Sequence, residues 1–459
     1  MTDLLYSETE RSLASALRPL LADRAAPSAV AARTEQPDTC DVGLWHTLAA
    51  EIGLAGLLIP EPLGGAGASY RELAAAAEEL GAAVAPVPYL GSAAVATAVL
   101  LSAARSGVAR AGSRDGGVSP GAVASSPLLS PAAARFSGAG GSGAGGSGAG
   151  DAGASGSGAS GSGADDSGAG AAGTGAAGVS PAASLLTRLA DGSLTAALVV
   201  EFTAAPGWSP DNGPAGTGAR VAGPRPGDAA AGVTRLRGTV RAVADALVAG
   251  VLLVPAAGVP GALYLVEAND PGVHVAPFVS LDMTRQLADV TFDDAPARVV
   301  AVGADADAAV EAGLMAGAAI LAAEQLGLAQ RCLDVTVAYA KERRQFARQI
   351  GSFQAVKHRL ADLWTAIAQA RAASRYAAAC LADGDADAPV AVALAKSACS
   401  DVAVLAAEEC VQLHGGIGFT WEHPAHLYLK RAKAASLGFG TPGAHRAALA
   451  SLVNLPAPS

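Results

Sequence analysis

Aromatic and charged residues are scarce in this chain of 459 residues. Phe, Trp and Tyr make up 4% of it, Asp, Glu, Lys and Arg make up 16%, and the formal net charge is −10. A chain with this negative balance lacks the basic surface that nucleic-acid binding requires. We therefore expect no nucleic-acid partner, and an anionic substrate would need a local basic site.

Paired cysteines are also missing. The five cysteines are odd in number and dispersed, with no Cys-x-x-Cys among them, which argues against a disulfide framework or a zinc site. His423 and His426 are three positions apart, but no carboxylate or cysteine completes a ligand set with metal-binding spacing. The sequence therefore predicts no metal centre.

The sequence also shows no leader-like segment at its start and no long apolar run. Met1-Thr2-Asp3-Leu4 is not a basic region followed by an apolar core, and runs such as residues 246–254 are too short to cross a bilayer. Apolar residues still reach 51%, and much of that is alanine, which suits close-packed helices. We expect no membrane span and a cytoplasmic location.

Four regions follow from the patterning. Leu44, Leu48 and Ile52 recur on one helix face, and residues 71–81 give another helix, so residues 1–105 are predicted to be an N-terminal helical domain. Residues 106–180 form a low-complexity insert. Between positions 137 and 178 it contains only Gly, Ser, Ala, Asp and Thr, which have almost nothing to bury. We expect this insert to be a linker or a surface loop.

The second half changes from strands to helices. Short apolar runs separated by Gly, Pro and Asp predict a middle β-domain over residues 181–303, built as a small antiparallel barrel or sandwich. These runs are residues 197–200, 251–254, 263–266 and 273–275. Long helical patterns return in residues 304–459 and predict a C-terminal helical domain.

Two segments of this last region carry residues suited to chemistry. Lys341-Glu342-Arg343-Arg344-Gln345-Phe346 is followed shortly by Ser352-Phe353-Gln354-Ala355-Val356-Lys357-His358. Gln412-Leu413-His414-Gly415-Gly416-Ile417-Gly418-Phe419 comes later. Taken singly, the first segment is typical of a solvated basic helix face and the second of a glycine-terminated helix.

Together these segments, and a Pro/Gly-rich stretch at residues 53–67, resemble the acyl-CoA dehydrogenase family, which uses FAD. The resemblance implies an α+β multidomain fold with an N-terminal helical domain, a middle β-barrel or sandwich and a C-terminal four-helix bundle. It also implies α,β-desaturation of an acyl-CoA thioester, with electrons passing through FAD to an electron-transfer flavoprotein.

The resemblance assigns cofactor roles within the two motifs. Arg343 would bind the FAD diphosphate, because a guanidinium fork suits phosphate oxygens. Phe346 would pack near the cofactor, and Gln354 would hydrogen-bond near its adenine end. Gln412, Gly415 and Gly416 would contact the same diphosphate, since absent side chains let backbone N–H groups approach phosphate.

The catalytic carboxylate that the family requires is not found where the resemblance places it. A Gly440-Thr441 pair aligns with the end of the family's "YEGT" segment, which puts Phe439 at the position of its Glu. Some members carry the base on an earlier helix, and the matching position here is Gly317. No catalytic residue is therefore predicted.

A second departure falls in the β-domain. Ala242 and Ala244 align with the Trp and Thr that contact the flavin ring in the family. In the family, the arginine and the Gln-Gly-Gly motif serve the FAD of a neighbouring subunit, whereas the base and the ring contacts serve a subunit's own site. The hypothesis that follows is a non-base subunit of a hetero-oligomer, completed by a related acyl-CoA dehydrogenase subunit.

Three alternatives stay open. One is an active homo-oligomer with a displaced base, for which Glu311 and Glu324 lie on a candidate helix. Another is a flavin-dependent monooxygenase of the same fold, which does not need the Glu. The last is a structural or regulatory subunit that binds no flavin.

Overall fold

The computed structural model describes residues 4–36, 38–114, 181–210, 234–257 and 261–455. Most of the predicted insert, residues 115–180, lies outside these described residues. The order of a helical region, a sheet and a second helical region is confirmed, and the exact domain boundaries stay predictions.

The N-terminal region is helical, as expected. Its helices are α1 (Glu8–Arg24), α2 (Pro27–Thr34), α3 (Val42–His46), α4 (Tyr70–Ala82) and α5 (Thr97–Arg114). Both α1 and α4 begin with a capping box, in which an N-cap serine and a glutamate three residues later satisfy each other's backbone N–H groups. The helix predicted over residues 71–81 is confirmed as α4.

The predicted β-region begins with a helix, α6 (Pro181–Ala190). Leu185, Leu186 and Leu189 are buried at helical spacing, which explains why this segment is not a strand. The strands follow as β1 (Ala196–Leu198), β2 (Thr234–Ala244), β3 (Val251–Ala256), β4 (Ala262–Glu267), β5 (Val273–Pro277) and β6 (Leu287–Val302).

These strands form one mixed, curled sheet in the order β1-β3-β4-β6-β2, with β5 also paired to β6. All described pairings within it are antiparallel except β1 with β3, so the predicted all-antiparallel arrangement was wrong at this edge. The long strand β6 pairs with β2 and β5 through its first part and with β4 through its last part, which bends the sheet around its own core.

The C-terminal region packs α7 (Ala304–Glu342), α8 (Gln354–Asp383), α9 (Ala388–His414) and α10 (Ala425–Leu437) together, and the shorter α11 (Pro442–Leu452) packs on α9. Helix α7 and the stretch Ala388–Phe419 are long and apolar enough to cross a membrane by length and composition. However, 72% and 61% of their most apolar windows are buried inside the protein, as expected of core helices.

Helix α7 lies close to α4, because glycines on both helices let the two backbones approach each other. At Gly81 and Gly327, an added Cβ would collide with the backbone of Glu324 and Glu78 respectively. Glycine therefore allows α4 and α7 to pack almost backbone to backbone, which joins the N-terminal region to the C-terminal bundle.

Candidate functional site

The first motif lies where α7 ends. The backbone N–H of Arg343 closes the last helical turn on the Tyr339 carbonyl at 2.8 Å, and the Arg343 carbonyl accepts from the Ile350 N–H at 2.9 Å. Between these points the chain makes a tight hairpin of β7 (Arg344–Gln345) and β8 (Arg348–Gln349). Such a two-residue connection needs left-handed backbone, and Phe346 indeed has φ 52°.

The hairpin tip exposes an aromatic ring. The Phe346 side chain is 85% exposed and meets Phe353 edge-on, with the ring centroids 6.1 Å apart. The Arg348 guanidinium covers the other ring of this pair, 3.8 Å from the Phe353 centroid. Gln354 begins α8 immediately afterwards and is exposed. The hairpin therefore presents one aromatic ring to solvent close to a guanidinium and a side-chain amide.

The second motif lies where α9 ends. The helix stops at His414 because Gly415 adopts φ +63°, which a residue with a Cβ rarely does. A Cβ built on either Gly415 or Gly416 meets no other heavy atom within 4 Å. The Gln412 side chain is exposed beside this turn. The Gly415 N–H itself donates to the Gln412 carbonyl, so what this turn offers a ligand or a partner is open space around its backbone.

Contacts between the helices bring the two motifs to the same end of the bundle. The Tyr339 ring stacks on His414 with centroids 4.4 Å apart, and its hydroxyl donates to the His414 carbonyl at 3.4 Å. Arg359 near the start of α8 pairs with Glu409 on α9 at 2.7 Å. We call the residues gathered at this end the exposed half-site: Arg343, Phe346, Gln354, Gln412, Gly415 and Gly416.

His414 lies beneath this surface, and its imidazole is held by Cys410. Burial lowers the pKa of this imidazole, but the hydrogen bonds with Cys410 outweigh burial and raise it above its usual value. Nδ1 of His414 lies 2.6 Å from the Cys410 carbonyl.

The two positions without a carboxylate lie in a different place, in the interior. Phe439 is 4% exposed and its ring meets Phe202 edge-on, with centroids 5.7 Å apart. A Cβ added to Gly317 on α7 would lie 2.6 Å from the nearest atom of the Phe439 ring. Ala244 lines the same small space. We call this region the closed pocket, lined by Gly91, Val95, Leu198, Val200, Phe202, Ala244 and Phe439.

A buried lysine holds the backbone next to Phe439. Lys396 on α9 has no exposed surface, and its ammonium donates to the Ser400 hydroxyl at 2.9 Å, the Ala435 carbonyl at 3.1 Å and the Gly440 carbonyl at 3.2 Å. Burial lowers the pKa of Lys396 to about 7. Lys396 lies outside both motifs and was not predicted, although a lone lysine in an alanine-rich helix was a signal for it.

The glutamates considered as displaced bases are both engaged. Glu324 accepts from Arg285 at 2.6 Å and from Arg431 at 2.8 Å, with all three side chains buried. Burial raises the pKa of this carboxyl, but the two guanidinium groups overcome that and lower it to about 2. Glu311 accepts from the Gly207 backbone N–H at 2.7 Å. A carboxylate with a pKa of about 2 is too weak a base for proton abstraction near neutral pH.

The two regions differ in what they can accommodate. The exposed half-site offers a guanidinium, side-chain amides and a glycine turn with open space around its backbone, which fit a dinucleotide diphosphate. The closed pocket has a cavity of about 10 Å³, enough for about one water molecule. A flavin ring therefore does not fit the closed pocket. Among the described residues, no group of three or more His, Cys, Asp or Glu is placed to hold a metal.

Comparison with known proteins identifies the family. The models "Acyl-CoA dehydrogenase, N-terminal domain" and "Acyl-CoA dehydrogenase, C-terminal domain" match residues 7–108 and 307–453. The chain is 30% identical over 429 residues to acyl-CoA dehydrogenase IpdE2 of Mycobacterium tuberculosis, covering 94% of this chain and 92% of that protein. The chain belongs to the acyl-CoA dehydrogenase family.

Solved structures agree on the fold. The Tcur3481-Tcur3483 steroid ACAD is 26% identical with a TM-score of 0.70, covering 97% of this chain and 98% of that one. The ChsE4-ChsE5 complex from Mycobacterium tuberculosis matches at 24% identity and a TM-score of 0.71, covering 99% of this chain and 100% of that one. The predicted acyl-CoA dehydrogenase fold is confirmed.

Proposed function

We propose that this chain is the non-base subunit of a hetero-oligomeric, FAD-dependent acyl-CoA dehydrogenase that desaturates an acyl-CoA thioester between its α and β carbons. The observation that carries the proposal is the contrast between its two regions. Residues suited to a dinucleotide diphosphate are exposed together at one end of the bundle, while the two expected base positions are Gly317 and Phe439 in the interior.

In this proposal the exposed half-site serves a cofactor that lies mainly in the partner subunit. The Arg343 guanidinium pairs with phosphate oxygens, and the open backbone turn at Gly415 and Gly416 lets the same anion come close. Gln412 and Gln354 donate from their side-chain amides, and Phe346 packs against the cofactor or the partner. FAD, when bound, supplies the hydride acceptor for the desaturation.

The partner supplies what this chain lacks. Its carboxylate takes the proton from the carbon next to the thioester, and the hydride leaves the following carbon, so that a double bond forms between them. An electron-transfer flavoprotein is the proposed electron acceptor, and the cytoplasm is the proposed location. Similarity over nearly the whole length to IpdE2, and to a steroid ACAD formed by Tcur3481-Tcur3483, supports this assignment.

The exposed aromatic side chains support a partner at this end. Phe346, Phe419 and Trp421 are 85%, 77% and 73% exposed, and all three lie within or next to the two motifs. Aromatic side chains are enriched at protein interfaces and depleted from free surfaces. A related subunit that brings its FAD to this surface would cover them.

The homo-oligomeric alternative needs a base within this chain. Glu324 is bound to two buried arginines and Glu311 to a backbone N–H group, so neither offers an unengaged carboxylate. The monooxygenase and the flavin-free subunit differ from our proposal in measurable ways. The first predicts substrate-dependent consumption of NAD(P)H and oxygen, and the second predicts no flavin even with a partner.

The test is to purify the chain alone and after co-expression with acyl-CoA dehydrogenase subunits encoded in the same genome. We expect a colourless chain alone, and a yellow complex in which acyl-CoA reduces an electron acceptor. Activity of the chain alone would contradict the proposal, as would a complex that binds no flavin.

Arg343→Ala tests the half-site within that complex. We expect its Kd for FAD to rise at least about tenfold, and its flavin occupancy after dilution to fall, because a charge-assisted hydrogen bond contributes about 1.5–3 kcal/mol. Arg446→Ala is the matched control, since this arginine forms an exposed ion pair with Asp401 away from the motifs. Unchanged flavin occupancy in Arg343→Ala would count against the assignment.

A further inference from the structure

Gly317 and Phe439 are complementary in shape. A Cβ added to Gly317 would lie 2.6, 2.7 and 2.9 Å from three atoms of the Phe439 ring. Cβ atoms essentially never approach other heavy atoms within 3.0 Å, so the ring occupies the space that any side chain at position 317 would need. Phe439 therefore occupies one of the two positions that could carry a carboxylate and blocks a side chain at the other.

The Phe439 ring is held in place by its own backbone. The Phe439 N–H donates to the Phe202 carbonyl at 2.7 Å. Nε2 of His445 donates to the Phe439 carbonyl at 2.8 Å, and Lys396 donates to the next carbonyl, that of Gly440. With both sides of this residue bonded to buried groups, its backbone cannot move without breaking several hydrogen bonds, and the base of the ring is fixed in place.

Side chains next to Phe439 fill most of the remaining space in the closed pocket. The edge of Phe439 packs on Phe202, and the Arg285 guanidinium lies 5.5 Å from the centroid of the Phe202 ring. The remaining cavity of about 10 Å³ compares with several hundred Å³ in ordinary cofactor and substrate sites. The pocket is apolar and packed, as a hydrophobic core is.

We infer that the contact between Gly317 and Phe439 turns this chain's own flavin and acyl pocket into core, so that each copy holds no flavin there and serves only its partner's cofactor. The identity of the pocket as a former flavin and acyl site rests on the proposed function. The packing of Phe439 against Gly317 does not.

A double-mutant cycle on the isolated chain tests the packing. Gly317→Ala should lower the Tm by a few degrees through overpacking, whereas in the Phe439→Ala background the same change should leave the Tm unchanged or raise it. Gly250→Ala is the control, because its Cβ would lie 2.8 Å from Leu194, which does not line the closed pocket. It should lower the Tm equally in both backgrounds. Equal effects of Gly317→Ala in the two backgrounds would overturn the inference.

Benzene tests whether Phe439 fills a pocket. Removing the ring should leave a dry cavity lined by Val95, Leu198 and Val200, of the kind that binds small apolar molecules. Benzene should therefore raise the Tm of Phe439→Ala and not that of the wild type. If Phe439→Ala does not fold, Phe439→Leu should show a smaller increase. No increase in a folded variant would overturn the inference.

The ratio of flavin to polypeptide tests the part of the inference that concerns the cofactor. In the co-purified complex we expect one flavin for each pair formed by this chain and its partner. One flavin for every polypeptide would overturn the inference, because this chain would then hold its own. A complex with no flavin would instead defeat the proposed function, and the Tm measurements on the isolated chain would still decide whether the pocket is core.

Discussion

The exposed half-site and the closed pocket both contain glycine and phenylalanine, but these residues have opposite effects in the two regions. At the exposed half-site, Gly415 and Gly416 leave open space around the backbone, and Phe346 projects into solvent. At the closed pocket, Gly317 makes room for a phenylalanine ring, and Phe439 fills it. Glycine and phenylalanine therefore occur at an exposed surface in one place and in a packed core in the other, and only the surroundings distinguish the two.

The comparison predicts that damage to the interior affects stability, whereas damage to the half-site affects binding. The largest stability effect is expected at Glu324. Glu324→Ala leaves the guanidinium groups of Arg285 and Arg431 buried without their carboxylate, so we expect a loss of about 3–5 kcal/mol in the free energy of unfolding. Urea denaturation of the isolated chain measures it.

The matched control for Glu324 is an ion pair on the surface. Asp401→Ala breaks the exposed pair with Arg446, whose side chains are 58% and 57% exposed, and should cost no more than about 1 kcal/mol. If the two variants lost equal stability, the buried ion network would not be the support of the interior that we describe.

A smaller effect, visible only against pH, is expected at Lys396. Burial lowers the pKa of this amine to about 7 in the folded protein, whereas the unfolded chain has the ordinary value of 10.5. Between these values the unfolded chain binds more protons, so this group makes the free energy of unfolding rise with pH from about 7 to about 10.5, by about 1.4 kcal/mol per pH unit.

Lys396→Met should remove this contribution, so that unfolding measured from pH 7 to 9 becomes less dependent on pH than in the wild type. Lys433→Met is the control, because that lysine forms an exposed pair with Glu408 and should keep the wild-type slope. An unchanged slope in Lys396→Met would mean that the buried amine is not the titrating group.

The smallest stability effect is expected at Gly416. A Cβ there meets no other heavy atom within 4 Å, so Gly416→Ala should change the free energy of unfolding by no more than about 0.5 kcal/mol. It should nevertheless lower flavin retention in the complex, because the new methyl group occupies the space through which phosphate approaches the backbone.

Gly443→Ala serves as the control for Gly416, since its Cβ would meet only one atom, the Thr441 hydroxyl at 3.9 Å, on a helix away from the motifs. It should leave flavin retention unchanged. If both variants retained flavin equally, Gly416 would not belong to the half-site, and the proposed difference between the two regions would be weaker.

Part of this arrangement could be predicted from short segments of the chain. The helix over residues 71–81 and the strand runs follow from local periodicity, and the two motifs are each continuous in sequence. The contacts of Lys396, Arg285 and Arg431 were not predicted, because their partners lie far along the chain. The parallel pairing of β1 with β3 was missed for the same reason: strand periodicity carries no information about direction.

The sequence by itself determined the family, the order of helices and sheet, and the residue types at the motifs and at the missing base. Tertiary structure alone decided that Gly317 and Phe439 touch, that Glu324 is held by two arginines, and that both motifs meet at one exposed end of the bundle. The physical reason is the separation along the chain over which each interaction acts. Periodicity and turn chemistry act between near neighbours, whereas packing and buried charge pairing depend on which distant segments the fold brings together.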